Sequence, residues 1–275
     1  MAENTYNQVQ CCYGDIAKRT SATSTQHNSA DTIATAFGYS AKDLGSLPDN
    51  TNLGLSCGNP VAYANMQEGE TVVDLGSGGG IDVFLAARKV GPQGKAIGVD
   101  MTKHMIELAN RNAKSAGLSN VQFIEALITS IPLPDSSINC IISNCVINLV
   151  PSKDKPSVFY EIARLLKPGG RVAISDILAR KELPQNIVDD MALYVGCIAG
   201  ASQVADYEDY LRQAGFQDVL IVDAETDLNV YKQSSNLSGC CSTDESKKST
   251  VDYAAIDYNE WAGSFQIYAV KAGSV

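Results

Sequence analysis

The chain has 275 residues, of which 45% are hydrophobic and 19% are charged. This length and composition predict one globular domain with a large apolar core. Its 21 Lys and Arg residues against 31 Asp and Glu residues give a net charge of -10. That charge argues against nucleic acid and anionic membranes as partners, because both need a basic protein surface.

The N-terminal stretch 1–20 is polar, and no apolar run approaches the roughly 20 residues that span a bilayer. We therefore expect a cytoplasmic monomer whose thiols stay reduced. In that compartment cysteines are core residues, soft-ion ligands or redox thiols more often than parts of a disulfide framework. The eight cysteines are Cys11, Cys12, Cys57, Cys140, Cys145, Cys197, Cys240 and Cys241.

Residues 1–66 form a mixed segment ahead of the regular part of the chain. The polar stretch 21–31 predicts a loop, because it has no hydrophobic period. A short helix is predicted over 31–37, and 53–65 predicts a loop leading into a helix. No helix is predicted before residue 20.

From residue 70 onward, predicted strands alternate with predicted helices, which is typical of a parallel sheet covered on both faces. We expect an α/β, doubly wound domain over 67–275. The predicted strands are 71–75, 95–99, 121–124, 137–143, 171–176, 217–222 and 265–271. The predicted helices are 81–89, 103–116, 155–166, 184–199 and 204–214. Residues 223–264 form a long insertion before the last strand, and loops of that length are usually functional or mobile.

A glycine-rich turn follows the first predicted strand, in the sequence Asp74-Leu-Gly-Ser-Gly-Gly-Gly80. Ligands of doubly wound sheets bind at this turn, where glycine lets the backbone approach them closely. Its frame, D-x-G-x-G-x-G, differs from the phosphate-binding G-x-G-x-x-G. Asp100 closes the second predicted strand, where a carboxylate can bind a ribose diol. A third motif, Pro168-Gly-Gly170, precedes the fifth strand.

Together these three motifs resemble the seven-stranded, Rossmann-like methyltransferases; a glycine turn of another α/β protein is the alternative. The resemblance implies an S-adenosylmethionine site, with Asp100 on the ribose and Met101 beside the adenine. Relatives often carry an acidic residue where Ile128 and Thr129 stand. The implied cofactor residues are Asp74, Gly76, Ser77, Gly78, Gly80, Asp100, Met101, Ile128, Thr129 and Asn144.

Cysteine sulfur atoms indicate where the group that accepts the methyl would bind. Oxygen and nitrogen acceptors usually need a base, yet the only histidines are His27 and His104, and no base constellation stands at the strand ends. Cys145 ends the fourth predicted strand, Cys57 precedes the core, and Cys197 follows the fifth strand. The topology brings these segments to one edge of the sheet. Three thiolates suit a soft ion such as As(III), whose lone pair is nucleophilic without losing a proton.

The segments around these three cysteines closely resemble arsenite methyltransferases: Leu53-Gly-Leu-Ser-Cys-Gly-Asn-Pro60, Ser143-Asn-Cys-Val-Ile-Asn-Leu149 and Gly196-Cys-Ile-Ala-Gly-Ala201. The resemblance implies that the three cysteines bind As(III), which takes the methyl group to give methylated arsenicals and S-adenosylhomocysteine. It also implies arsenite and methylarsenite as substrates, a detoxifying role, and glutathione or thioredoxin as reductant. Arsenic is the substrate in this chemistry, and no resident metal is expected.

The chain departs from that family near its N-terminus. Relatives often have a further cysteine where 21–29 has none, and Leu55 replaces a common tyrosine. Two alternatives stay open at the level of sequence. One is a methyltransferase of a small organic acceptor, whose activity would survive loss of Cys145; the other is an arsenic-binding protein without turnover. Cys140 is expected in the core, whereas the pairs Cys11-Cys12 and Cys240-Cys241 could capture arsenic or be exposed thiols.

Overall fold

The computed structural model describes residues 2–20, 27–188, 190, 193–194, 197–233 and 255–273. The strands are β1 Thr71–Leu75, β2 Lys95–Asp100, β3 Val121–Glu125, β4 Ile138–Asn144, β5 Leu166–Ala179, β6 Phe216–Asp223 and β7 Ala262–Lys271. The helices are α1 Ala2–Thr20, α2 His27–Ala36, α3 Ala41–Leu44, α4 Pro60–Tyr63, α5 Ile81–Val90, α6 Lys103–Ala116, α7 Lys155–Leu165, α8 Gln185–Val188, α9 Val204–Gln213 and α10 Tyr258–Trp261. Short 3₁₀ turns lie at Ile147–Leu149 and Leu228–Gln233. None of the described helices is both long and apolar enough to cross a bilayer.

The strands form one seven-stranded sheet in the order β3-β2-β1-β4-β5-β7-β6. The α/β, doubly wound prediction is confirmed, but the expectation of a wholly parallel sheet is wrong for β7. That strand runs antiparallel to both of its neighbours, β5 and β6. Antiparallel neighbours do not require the long crossover connection that parallel neighbours need.

The central strands are apolar on both faces because helices cover both sides of the sheet. Val73 and Ile141 point into the cluster beneath α7, whereas Val72 and Ile142 point into the cluster beneath α5. Cys140 belongs to the second cluster and is fully buried, which confirms it as a core residue.

The N-terminal segment holds a helix that its sequence did not predict. Helix α1 has 19 residues and packs against α6, with Ala17 of α1 contacting Met105 and Leu108. Helix α2 also begins earlier than the predicted 31–37. Within the predicted helix 184–199 the structure describes α8 and residues 193–194 as helical. The pair Cys240-Cys241 lies outside the described residues. Cys11 is an exposed free thiol, whereas Cys12 is buried and disulfide-bonded, so the expectation of reduced thiols is wrong for Cys12.

Arg171 of β5 ties the N-terminal segment to the sheet. Its guanidinium donates to the carbonyl oxygens of Ala64 and Asn65 and to both carboxylate oxygens of Glu70, at 2.8 and 2.6 Å. The Arg171 and Glu70 side chains are only 10% and 15% exposed. Removing one partner would therefore leave the other charge poorly solvated.

We expect Arg171→Met to lower the free energy of unfolding by about 3 kcal/mol, because the partly buried Glu70 carboxylate would lose its cation. Urea denaturation followed by circular dichroism measures this change. The matched control is Arg212→Met, which breaks an exposed pair with Glu208 and should cost less than about 1 kcal/mol. Equal losses in the two variants would contradict the importance of the buried pair.

Candidate active site

The glycine turn between β1 and α5 has a backbone that only glycine adopts without strain. Gly76, Gly78 and Gly80 have φ values of 70°, 51° and 98°. A Cβ atom on Gly76 would overlap the side chain of Val146. Asp100 at the end of β2 holds the turn, because its Oδ2 accepts a hydrogen bond from the Gly78 amide at 3.0 Å.

A cavity opens beside this turn at the carboxyl ends of β1, β2 and β4. The predicted cofactor residues that line it are Asp74, Gly76, Ser77, Gly78, Asp100, Met101, Ile128, Thr129 and Asn144. Gly80 is the exception, since it caps the N-terminus of α5 without lining the cavity. Cys145 also lines this cavity, so the predicted donor and acceptor sites share a wall.

Helix α1 closes one side of the cavity with residues that sequence reasoning missed. Tyr6, Val9 and Tyr13 line it, and Gln10 Nε2 donates to the Met101 carbonyl oxygen at 2.7 Å. Tyr6, Val9 and Tyr13 are spaced i, i+3 and i+7, which is the spacing of one helix face. This spacing was the only sequence signal that could have indicated their role.

The cavity is acidic. Asp74, Asp82 and Asp100 line it, and no Lys or Arg does so within the described part of the chain. Burial raises the pKa of all three carboxyls, that of Asp82 to about 6. Ser77 Oγ is buried there without a hydrogen-bond partner among the described residues. These features suit a ligand with positive charge and polar groups, and they do not suit a bare phosphate.

The three predicted cysteines come together beside the cavity. Cys57, Cys145 and Cys197 are 0%, 6% and 3% exposed, so only a small ligand can reach them. The Cys197 thiol donates to the Cys145 carbonyl oxygen at 2.7 Å. The Sγ atoms of Cys57 and Cys145 and a carboxylate oxygen of Asp176 all lie within 4.8 Å of one another.

Two of these cysteines stand in a strained backbone conformation. Cys145 and Cys197 have φ values of 58° and 65°, in the left-handed region. For a residue other than glycine this conformation costs on the order of 1–3 kcal/mol, and such residues cluster at functional sites. The Cys145 amide donates to the Ser175 carbonyl oxygen at 2.9 Å, which holds the turn in place. The strained backbone at Cys145 and Cys197 therefore supports a functional role for their thiol side chains.

Asn144 connects the cysteine cluster to the cofactor cavity. Its Oδ1 accepts from the Cys57 amide at 3.1 Å. Its Nδ2 donates to the Gly58 carbonyl oxygen at 2.8 Å and to Asp82 Oδ2 at 3.1 Å. Asn144 was predicted as a cofactor residue; although it lines the cavity, these hydrogen bonds position the Cys57 loop.

The three thiols are protonated at neutral pH. Burial raises the pKa of Cys57 to about 12 and raises the pKa of Cys145 well above its usual range. The pKa of Cys197 is also well above its usual range, chiefly because of its hydrogen bond with the Cys145 side chain and then because of burial.

At pH 8 we expect iodoacetamide to label the exposed Cys11 at least about 100-fold faster than Cys57, Cys145 or Cys197. The thiolate is the reacting form, and both burial and the raised pKa deplete it at the three clustered cysteines. Peptide mass spectrometry gives the rates, with urea-unfolded protein as the control in which all thiols react. Comparable rates in the folded protein would contradict the assignment of buried, protonated thiols.

Comparison with known proteins decides the family. The profile of the methyltransferase domain family matches residues 66–215, more than half of the chain. The chain belongs to this family. The prediction of a methyltransferase, made from the glycine turn and Asp100, is therefore confirmed.

Among the relatives of this methyltransferase are curated arsenite methyltransferases. That of Halobacterium salinarum is 46% identical over 73% of this chain and 54% of its own length. That of Mus musculus is 32% identical over 87% of this chain and 65% of its own length. The chain thus spans about half to two thirds of these relatives. A crystal structure of an arsenic(III) S-adenosylmethionine methyltransferase from Chlamydomonas reinhardtii is 28% identical, with a TM-score of 0.57 over 88% of this chain and 73% of that one. The predicted relationship to arsenite methyltransferases is confirmed.

Proposed function

We propose that this methyltransferase transfers a methyl group from S-adenosylmethionine to As(III) bound by Cys57, Cys145 and Cys197. The observation that carries the proposal is the position of Cys145, which belongs both to the buried thiol cluster and to the wall of the acidic cavity. The relatives named as arsenite methyltransferases support the same acceptor.

The cavity fits S-adenosylmethionine, which carries a sulfonium and an ammonium group and supplies an electrophilic methyl group when bound. A bound cation would lower the pKa values that burial raises at Asp74, Asp82 and Asp100, so these carboxyls would offer it negative charge. Asp100 would accept hydrogen bonds from the ribose hydroxyls, and Met101 would flank the adenine. Ser77 Oγ would hydrogen-bond the cofactor's polar end, which would satisfy a buried hydroxyl that otherwise has no partner in the described structure.

The thiol cluster fits As(III) better than an organic acceptor. Thiols are soft ligands, and As(III) is a soft ion with a lone pair. Each Cys–S–As bond formed from arsenous acid joins a thiol proton to a departing hydroxyl as water, so the high thiol pKa values do not prevent binding. The arsenic lone pair then needs no base, which agrees with the lack of a catalytic histidine. Positioning of the two reactants supplies most of the rate acceleration.

The remaining features of the proposal follow from the family resemblance. Methylarsenite would be the second substrate, glutathione or thioredoxin would be the reductant, and the physiological role would be arsenic detoxification. The cytoplasmic location and the monomeric state stay predictions.

The proposal is tested by incubating the purified protein with arsenite, S-adenosylmethionine and glutathione, and by separating the arsenic species by chromatography with elemental mass spectrometry. We expect methylarsenic species only when the protein and the methyl donor are both present. Arsenite bound without methylated product would indicate an arsenic-binding protein. Binding of S-adenosylmethionine without either result would move the acceptor to an organic molecule.

A further inference from the structure

A buried carboxylate beside the thiol cluster has no role in the function proposed so far. Asp176 of β5 is fully buried, and one of its oxygens lies within 4.8 Å of the Sγ atoms of Cys57 and Cys145. Burying a charge costs several kcal/mol unless it is compensated. A carboxylate in this position therefore needs an explanation.

The hydrogen bonds to Asp176 from the described residues come from neutral donors, which favour its charged form without neutralising it. Its Oδ1 accepts from Asn148 Nδ2 at 2.8 Å and from the Ile177 amide at 2.9 Å. Its Oδ2 accepts from the Tyr207 hydroxyl at 2.6 Å. Burial raises the pKa of Asp176 to about 6, so the carboxyl is ionised at pH 8.

The nearby buried cation is kept one group away. Lys155 Nζ donates to the other end of the Asn148 amide at 3.3 Å, and to the Gly200 carbonyl and Ser202 hydroxyl oxygens. The Asn148 amide therefore separates the ammonium from the Asp176 carboxylate. Among the described residues no cation bonds the Asp176 carboxylate directly, although the charge of Lys155 lowers the Asp176 pKa from a distance.

We propose that the Asp176 carboxylate stabilises the positive charge that forms on arsenic during methyl transfer; this inference rests on the proposed function. In that step the arsenic lone pair forms the As–C bond. The C–S bond of the donor breaks, and its electron pair stays on sulfur, which becomes a neutral thioether. One unit of positive charge therefore moves to arsenic, and no proton is transferred.

Stabilising the positive charge on arsenic accelerates the reaction, because bound As(III) does not carry that charge in the ground state. The acidic cavity favours positive charge on the donor side, through Asp74, Asp82 and Asp100. Without Asp176 the charge would move from that cavity into a cluster whose other members are largely apolar. The Asp176 carboxylate stabilises the positive charge after it has moved from the acidic cavity to arsenic.

The test measures a single turnover at pH 8. Protein loaded with arsenite is mixed with excess S-adenosylmethionine, and methylarsenic is quantified over time after quenching. We expect Asp176→Asn to slow this step by about 10- to 100-fold. Arsenic bound per protein and the Kd for S-adenosylmethionine should match the wild type.

Two further variants separate charge from packing. The exchange variant Asn148→Asp/Asp176→Asn keeps the net charge but moves the carboxylate toward Lys155, with loss of the hydrogen bond from Asn148 Nδ2 to the Ile177 carbonyl oxygen; it should be as slow as Asp176→Asn. Tyr207→Phe removes one hydrogen bond that favours the charged form and keeps the carboxyl group beside the thiols; it should slow the step less than Asp176→Asn does. The exchange variant thus tests the charge even if Asp176→Asn fails to fold.

A wild-type single-turnover rate in the exchange variant would overturn the inference. Slower arsenite uptake with an unchanged methyl-transfer step would also overturn it, because the carboxylate would then act in thiol exchange. A wild-type protein that forms no methylarsenic would instead refute the proposed function.

Discussion

Replacing Cys145 with serine is expected to lower the rate of methyl transfer to arsenic by at least about 1000-fold, because positioning of the reactants supplies most of the acceleration. Serine has nearly the shape of cysteine, yet its hard oxygen is a poor ligand for a soft ion. Cys145 lies in the wall shared by the thiol cluster and the cofactor cavity. Loss of its sulfur should therefore leave arsenic unheld at the point nearest the donor.

The measurement is the initial rate of methylarsenic formation, with S-adenosylmethionine binding followed by calorimetry in the same preparations. Cys57→Ser and Cys197→Ser should show losses of the same kind, with cofactor binding retained. Cys140→Ala and Cys11→Ser are the controls, because Cys140 is buried in the separate cluster beneath α5 and Cys11 is exposed. Full activity in all three serine variants of the cluster would refute the arsenic site.

The second large effect concerns the donor. Asp100→Ala should raise the Kd for S-adenosylmethionine by about 100-fold, because charge-assisted hydrogen bonds to the ribose would be lost. The side chain also accepts from the Gly78 and Thr102 amides, at 3.0 and 2.8 Å, so its removal loosens the glycine turn. Calorimetry gives the Kd, and arsenite binding should be unchanged.

Glu107→Ala is the control for the loss of one acidic charge, since Glu107 lies nearby on α6 with its side chain 47% exposed. It should leave the Kd at the wild-type value. An unchanged Kd in Asp100→Ala would contradict the assignment of the cavity. The cysteine and Asp100 variants are expected to separate acceptor binding from donor binding.

The meeting of Cys145 and Cys197 could be predicted from the sequence because it follows from a general rule, which does not cover Cys57, since Cys57 precedes the first strand. Residues after the strands of a doubly wound sheet converge at its carboxyl edge. The glycine turn and Asp100 were recognisable because that turn needs a backbone without Cβ atoms, and because the acid ends the second strand.

Other features depend on contacts that no local pattern encodes. Helix α1 buries only a narrow stripe, which includes Val9 and Ala17. A polar helix of this kind is stabilised mainly by tertiary packing, so its sequence alone did not predict it. Strand propensity is the same for either direction, so the residues of β7 did not reveal that it runs antiparallel to β5 and β6.

Asp176 was the functional candidate hardest to find. In the sequence it only ends a predicted strand, and its partners Asn148 and Tyr207 come from segments 28 and 31 residues away. The left-handed conformation of Cys145 was equally hidden, since asparagine and glycine are the residues that usually indicate it.

The most direct measurement is X-ray absorption at the arsenic edge on protein loaded with arsenite and freed of small thiols by gel filtration. Three sulfur neighbours and no oxygen around arsenic are predicted for the wild type, with the sulfur shell reduced in Cys145→Ser. An oxygen-only shell, or arsenic that leaves the protein during filtration, would contradict a site built from Cys57, Cys145 and Cys197.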